Sequence, residues 1–192
     1  MRIADLGAGT GIFSELLLQA GYSVLAVEPN TEMRQAAEEQ LQHSTNYTSI
    51  AATAEHTTIT ANSIDIITAA QAFHWFDLET IKQEFERIRK PDGSALLIWN
   101  IMRIDTAFMQ AYKTFRKQYE EDIVRPMRGD LHAISAYFAP LACTEIIIPH
   151  STYLSYDELR GLLLSSSLVP NGGEQMLVEL KQLFNAYAVD GK

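Results

Sequence analysis

The sequence is poor in cysteine and in positive charge, and it has no long apolar run. Cys143 is the only cysteine among 192 residues, which excludes an intrachain disulfide and favours the reducing cytoplasm. An apolar leader at the N-terminus and a run of about 18 apolar residues are both lacking, which argues against a membrane protein. Lys and Arg number 15 against 24 Asp and Glu, and the net charge of -9 disfavours binding to a phosphate backbone. We therefore expect a cytoplasmic protein with neither nucleic acid nor membrane as its partner.

Metal-ligand spacing is also lacking. The histidines show no ligand pattern among themselves or with Cys143, so no metal site is expected. Hydrophobic residues make up 47% of the chain, and no internal repeat or low-complexity tract is visible. This length and composition predict a single domain over residues 1–192.

What the sequence does have is a glycine-rich turn almost at its start. Residues 2–6 read as a short strand, Gly7, Gly9 and Gly11 follow at alternate positions, and a helix-prone run begins at residue 13. A second apolar strand, 23–27, ends on Glu28. Strand, glycine turn, helix and a strand ending on a carboxylate predict the mononucleotide-binding half of a doubly wound α/β fold.

The spacing of the glycines separates two kinds of ligand. A dinucleotide fingerprint, G-x-G-x-x-G, requires glycine at position 12, where this chain has Ile12. Asp5, two residues before the first glycine, would repel a pyrophosphate and attract an ammonium or sulfonium group. The turn therefore favours a cationic ligand, and it disfavours an NAD-dependent oxidoreductase.

The rest of the chain alternates predicted strands and helices. Residues 94–100 are a nearly continuous apolar run, which predicts a central fifth strand buried on both faces, preceded by a turn at 91–93. The other predicted strands are 47–51, 63–68 and a sixth at 145–148. Helices are predicted over 29–41, from the cap Asp77 to Ile88, over 105–121 and 134–138, after the capping box Ser155–Glu158, and through 177–187.

Two motifs carry a family resemblance. The run Asp5-Leu6-Gly7-Ala8-Gly9-Thr10-Gly11, followed by Glu28, resembles motif I of class I S-adenosylmethionine-dependent methyltransferases. The run Gln71-Ala72-Phe73-His74-Trp75-Phe76 resembles the type 11 branch, some of whose members act on carboxylate-bearing small molecules such as trans-aconitate. The resemblance implies a Rossmann-like, mainly parallel sheet flanked by helices. Residues 1–100 would hold the cofactor, and residues 101–192 would supply substrate-side helices and strand six.

The resemblance also implies elements that are not visible in this sequence. Members of the family have a helical segment before the first strand and a final, seventh antiparallel strand. We therefore expect a chain shortened at both ends, whose fifth strand presents an apolar edge. Such an edge makes a homodimer a candidate assembly.

The resemblance assigns roles residue by residue. Asp5 would accept from the cofactor's amino group, Glu28 from its ribose hydroxyls, and Glu55 would lie near its adenine. His74 is the candidate general base, with the alternative that it is a wall of an aromatic pocket. The expected cofactor-binding residues are Asp5, Gly7, Ala8, Gly9, Gly11, Glu28, Pro29, Ala54, Glu55, Gln71 and Ala72, and the expected substrate-binding residues are His74, Trp75, Arg103 and Arg128.

The predicted function is transfer of a methyl group from S-adenosylmethionine to an oxygen of a small-molecule acceptor, a carboxylate or a hydroxyl. A carboxylate acceptor would need no base, because it is ionised near pH 7. The alternative is a shortened relative that binds the cofactor or serves in an assembly without catalysis.

Overall fold

A five-stranded parallel sheet forms the centre of the fold. The computed structural model describes residues 1–120, 130–166, 169, 173–189 and 191. The strands are β1 (Arg2–Leu6), β2 (Ser23–Val27), β3 (Tyr47–Ile50), β4 (Ile64–Ala70) and β5 (Arg89–Ile98). Their order is β3-β2-β1-β4-β5, and every neighbouring pair is parallel. The predicted Rossmann-like sheet flanked by helices is therefore confirmed.

The first two crossover helices follow from local sequence. Helix α1 (Ile12–Gln19) begins directly after Gly11, and α2 (Thr31–Leu41) is capped by Asn30, whose side chain accepts from the Met33 N–H. The strand order reverses between β1 and β4, and in open α/β sheets ligands bind at such a point, outside the carboxyl ends of the strands. The glycine turn after β1 and the aromatic run after β4 both lie at this edge.

The described residues divide into two compact units. The first contains residues 1–100 and 130–143, with α3 (Ile81–Ile88) and α5 (Leu131–Phe138) beside the sheet. Its core is centred on the fully buried Phe73, whose ring lies within 6.3 Å of the rings of Phe76, Phe85, Trp99, Tyr137 and Phe138. The sequence predicts that the cofactor-binding half ends at residue 100, but residues 130–143 also belong to the unit that contains the sheet.

The second unit, residues 101–120 and 144–191 where described, is helical. It contains α4 (Ala107–Lys117), α6 (Tyr156–Leu164) and α7 (Glu174–Tyr187). The predicted capping box is present, since Ser155 and Glu158 cap each other's backbone N–H at the start of α6. Tyr112, Leu163 and Leu180 are fully buried in a separate apolar core.

Two strand predictions are wrong. Residues 145–148 form no strand, and the side chains of Ile146, Ile147 and Ile148 are 78%, 75% and 83% exposed. Strand β5 exists and presents the edge that was expected of the fifth strand, but it is not central and not buried on both faces, since Leu96 is 46% exposed. An apolar run has the propensity for a strand, yet its pairing and burial depend on neighbouring strands: β5 has such a neighbour on one side only, and residues 145–148 have none among the described residues.

The junction from α3 to β5 also differs from the prediction. The expected turn at 91–93 lies inside β5, where Ile64 pairs with Arg89 and Ile66 with Ser94, so residues 90–93 bulge opposite one residue of β4. The expected cap, Asp77, holds the turn before α3 instead: its carboxylate accepts from the Glu79 N–H and the Thr80 hydroxyl. The helix itself begins four residues later, at Ile81.

Candidate functional site

The three glycines of the first turn all adopt the left-handed backbone conformation, but their surroundings differ. Gly7, Gly9 and Gly11 have φ values of 69°, 56° and 85°, which strongly favour glycine. A Cβ on Gly7 would lie 2.6 Å from the Cβ of Ala72, and one on Gly11 would lie 2.8 Å from Leu41 Cδ1. A Cβ on Gly9 would meet no described protein atom within 4 Å. Packing therefore requires Gly7 and Gly11, whereas Gly9 faces open space.

The Glu28 carboxylate is fixed beside that open space. Its Oε2 accepts from the Gly9 N–H at 2.9 Å, and its Oε1 accepts from the Asn30 N–H at 2.9 Å. The residue is buried, and Pro29 follows it on the exposed edge. Each carboxylate oxygen has two acceptor sites, so each can take one further donor. The turn thus presents a buried, oriented anion able to bind a pair of hydroxyls.

The Asp5 carboxylate is turned into the protein. The residue is 1% exposed, its Oδ2 accepts from the Ser14 hydroxyl at 2.7 Å, and its Oδ1 accepts from the Thr68 hydroxyl at 2.8 Å. Burial raises its pKa to about 6, against the lowering effect of the two hydroxyls. Asp5 therefore ties β1 to α1 and β4. Neither hydroxyl partner was identified from the sequence.

The remaining candidates of the cofactor set lie at the carboxyl end of β4 and in the loop after β3. Gln71 has a φ of 56°, and its backbone N–H donates to Ile98 O at 2.9 Å. Its Nε2 is buried and has no hydrogen-bond partner among the described residues. Ala72 is buried against Gly7, while Ala54 is buried and the Glu55 carboxylate accepts from the Asp77 N–H at 2.9 Å. An orphaned buried donor in a left-handed residue is typical of a ligand site.

The aromatic run forms a short 3-10 helix, Phe73–Trp75, next to that end of β4. His74 is buried, and its Nδ1 accepts from Trp99 Nε1 at 3.3 Å. Trp75 is exposed, with its ring centroid 5.3 Å from that of His74. The structure thus brings His74 and Trp75 to the crevice edge of the sheet. Trp99 was missed, although its position directly after a strand end could have identified it.

Of the two arginines in the expected substrate set, Arg103 belongs to the second unit, where its Nη2 pairs with Asp105 Oδ2 at 2.5 Å. Arg128 lies outside the described residues. Over the described ranges, no three His, Cys, Asp or Glu side chains are grouped to hold a metal ion, and no helix is long and apolar enough to cross a bilayer.

The parallel sheet, the left-handed glycine turn and the carboxylate at the end of β2 are the features expected of a class I methyltransferase domain. Residues 4–97 match the type 11 family model, which is described as a methyltransferase domain. S-adenosylmethionine is the cofactor that this family implies.

Individual relatives agree with this assignment. An uncharacterized methyltransferase of Mycobacterium tuberculosis is 36% identical over 99 residues, which are 52% of this chain and 40% of that protein. A protein of Dictyostelium discoideum, provisionally named a methyltransferase, is 27% identical over 95% of this chain and 72% of its own. A solved structure from Anaeromyxobacter dehalogenans, provisionally described as a type II methyltransferase, has a TM-score of 0.70 and 26% identity, covering 100% of this chain and 83% of that one. The chain thus spans less than half the length of the mycobacterial relative.

Proposed function

We propose that this chain binds S-adenosylmethionine in the crevice at the carboxyl ends of β1, β2 and β4 and transfers its methyl group to an oxygen of a small acceptor, a carboxylate or a hydroxyl. The observation that carries the proposal is the Glu28 carboxylate, which the Gly9 and Asn30 N–H groups hold beside a glycine that faces open space. An oriented carboxylate suits a ribose diol, because its two oxygens each accept one hydroxyl.

Other residues of the crevice fit the same cofactor. The unfilled side of Gly9 leaves room for a ligand to approach the backbone of the turn. The orphaned Gln71 Nε2 is a donor suited to the cofactor's carboxylate. The Glu55 carboxylate, which accepts from the Asp77 N–H, is the acceptor that this proposal assigns to the adenine. Together these residues offer acceptors to the nucleoside and a donor to the amino acid part.

The protein's part in the reaction is positioning. The bound cofactor supplies a methyl group activated by its sulfonium. The chain must hold the acceptor oxygen in line with that methyl group and keep bulk water away. The buried His74 and the exposed Trp75 ring offer a polar edge and an apolar wall for this purpose. Net charge and the single cysteine support a small-molecule acceptor and a cytoplasmic location over a nucleic-acid substrate.

Calorimetric titration with S-adenosylhomocysteine tests the cofactor site. Wild type is expected to bind, and Glu28→Gln is expected to bind about 10- to 100-fold more weakly, because a hydrogen bond to a charged group contributes about 1.5–3 kcal/mol. Glu39→Gln, an exposed change on α2 that removes the same charge, is the matched control and should bind as wild type does. Absence of heat with folded wild type would contradict the proposal.

Methyl transfer is tested with labelled S-adenosylmethionine and a panel of di- and tricarboxylates, phenols, alcohols and amines. Label is expected in the carboxylates or the hydroxyl compounds. Label only in the amines would contradict transfer to oxygen. Cofactor binding without transfer to any acceptor would favour the alternative of a binding or assembly protein.

A homodimer is a further part of the proposal. It is supported by the exposed run Ile146–Ile148 and by the outer edge of β5, which has no partner strand among the described residues.

A further inference from the structure

Arg34 lies near the start of α2, and its guanidinium reaches back to the residues that precede the helix. Its Nη1 donates to Glu28 O at 3.0 Å and to Pro29 O at 3.4 Å. Its Nε lies 3.6 Å from Glu38 Oε1, one helical turn further along the chain. Only 16% of the Arg34 side chain is exposed, so these contacts hold the guanidinium against the protein.

Helix stability does not explain a cation at this position. The amino end of a helix carries a partial positive charge, so a cation near it is placed unfavourably. The Glu38 carboxylate offsets part of this repulsion and is itself held by β3, because the Ser49 hydroxyl donates to its Oε1 at 2.6 Å. The contacts of Arg34 with the two carbonyls before the helix therefore need a reason outside α2.

The two carbonyls belong to the turn that orients the Glu28 carboxylate. The sheet fixes the turn at its start, where the Glu28 N–H donates to Ile50 O at 3.1 Å. Two residues later, the Asn30 N–H donates to Glu28 Oε1 at 2.9 Å. A peptide group is planar, so the direction of the Pro29 carbonyl sets the direction of the Asn30 N–H. Arg34 binds that carbonyl and the one before it, which are the two that fix the path of the turn.

We propose that Arg34 is a positioning residue for the cofactor: it holds the turn at Pro29 so that the Asn30 N–H keeps the Glu28 carboxylate directed at the ribose. The inference rests on the proposed function, because that proposal assigns the ribose to Glu28. Arg34 acts through Glu28, so its contribution to cofactor affinity should exist only while the carboxylate is present. A contribution to the stability of the fold alone would not depend on that carboxylate.

Calorimetric titration with S-adenosylhomocysteine tests this dependence in wild type, Arg34→Met, Glu28→Gln and the double variant. Arg34→Met keeps the length of the side chain but removes its donors, and it should bind about tenfold more weakly than wild type. In the Glu28→Gln background the same change should alter the affinity by less than about twofold, since coupled residues are not additive. Arg160→Met, at an exposed position of α6, removes the same charge and should bind as wild type does. An equal loss in both backgrounds, or full affinity in Arg34→Met, would overturn the proposal.

Solvent exchange of the Asn30 amide, followed by NMR in 15N-labelled protein, tests the same contact without a ligand. The exchange should be about tenfold faster in Arg34→Met than in wild type and in Arg160→Met, because opening of the turn becomes easier. An unchanged rate would overturn the role of Arg34 whether or not the cofactor binds. An Asn30 amide that is unprotected in wild type would overturn it without any variant.

The two measurements separate this inference from the proposed function. If wild type binds no S-adenosylhomocysteine but Arg34→Met speeds the exchange of the Asn30 amide, only the proposed cofactor site is contradicted. If wild type binds the ligand and Arg34→Met binds it equally well, only the role of Arg34 is contradicted.

Discussion

Asp5 is the buried carboxylate whose ionisation should make the stability of the fold depend on pH. Its pKa is about 6 in the folded protein, against an ordinary value of 3.8, because burial disfavours the charged form. Between these values the folded state binds more protons than the unfolded state. The free energy of unfolding contributed by Asp5 therefore falls as the pH rises from about 4 to about 6, and the loss is complete above that range.

Asp5→Asn should remove this dependence. As the pH rises from 4 to 7, wild type should lose up to about 3 kcal/mol of unfolding free energy relative to the variant, since one pKa unit corresponds to 1.36 kcal/mol. Urea denaturation of both proteins at several pH values measures this difference in unfolding free energy. The contributions of the other carboxylates cancel in the difference, because both proteins contain them. The exposed Asp92→Asn should give a curve parallel to wild type. If the difference in unfolding free energy between Asp5→Asn and wild type stays the same at every pH, the pKa of Asp5 is not raised in the folded protein.

Gly9 and Gly21 form a matched pair for testing the glycine turn. Both are left-handed, with φ values of 56° and 84°, and a Cβ on either would meet no described atom within 4 Å. Gly9→Ala and Gly21→Ala should therefore each lower the free energy of unfolding by about 1 kcal/mol. Only Gly9→Ala should weaken the binding of S-adenosylhomocysteine, by about tenfold or more, because its methyl group would occupy the ligand's space. Equal affinities in calorimetry would place the ligand elsewhere.

Individual residues of the site were predictable where the backbone dictates them. Gly7 and Gly11 are required by contacts with Ala72 and Leu41, and alternate glycines after a strand indicate such a turn from sequence alone. The direction of a side chain is set by packing instead. Asp5 could face the ligand or the interior, and the hydroxyls of Ser14 and Thr68, distant in sequence, decide for the interior.

At the scale of elements, Glu84 connects α3 to the loop after β3. Its Oε1 accepts from the N–H and the hydroxyl of the buried Thr57, and both its oxygens pair with Arg87, which also donates to Ile59 O. Burial works to raise the pKa of Glu84, but the hydrogen bonds from Arg87 and Thr57 lower it overall. One carboxylate thus satisfies four donors and fixes a loop that carries Ala54 and Glu55.

Glu84→Gln should lower the free energy of unfolding by about 2 kcal/mol, because it replaces charge-assisted bonds by neutral ones and leaves a donor facing Arg87. The expected loss of unfolding free energy is no larger because the Arg87 side chain is 41% exposed, so solvent screens its charge. Urea denaturation measures the change. Glu86→Gln, at an exposed position of the same helix, should stay within about 0.5 kcal/mol of wild type, and an equal loss in both variants would contradict the local explanation.

The prediction of elements succeeded where the local signal and the tertiary context agree. Helix α6 begins where the Ser155 capping box indicates, because the cap satisfies its own backbone donors. Strand β5 and residues 145–148 carry similar apolar patterns, yet β5 pairs with β4, whereas residues 145–148 pair with no strand of the described part of the chain. A strand's fate depends on its neighbours, so its own sequence cannot settle it.

At the scale of the whole molecule, the first unit carries every candidate cofactor residue. Residues 4–97, the part that matches the family model, contain the glycine turn, Glu28, the loop at Ala54 and the end of β4. Parallel strands place their carboxyl ends at one edge, so residues more than 60 positions apart meet there once the order β3-β2-β1-β4-β5 forms. This convergence was predictable from the alternation of strands and helices. The contacts of the helical unit were not, because its apolar stripes have several ways to pack.

The exposed run Ile146–Ile148 predicts self-association of the whole chain. Three adjacent isoleucines at 75–83% exposure form a β-prone apolar segment that can pair with its copy in a second molecule. Sedimentation should therefore show a species heavier than the 21.5 kDa monomer, and the fraction of protein in this species should rise with protein concentration. Ile147→Lys should lower the association constant by about tenfold or more, because charge on a strand edge opposes pairing. Val189→Lys is the control, because it adds the same charge at another apolar residue, which is 73% exposed. This variant should associate as wild type does. An equal loss of association constant in both variants would assign the effect to net charge and not to the isoleucine segment.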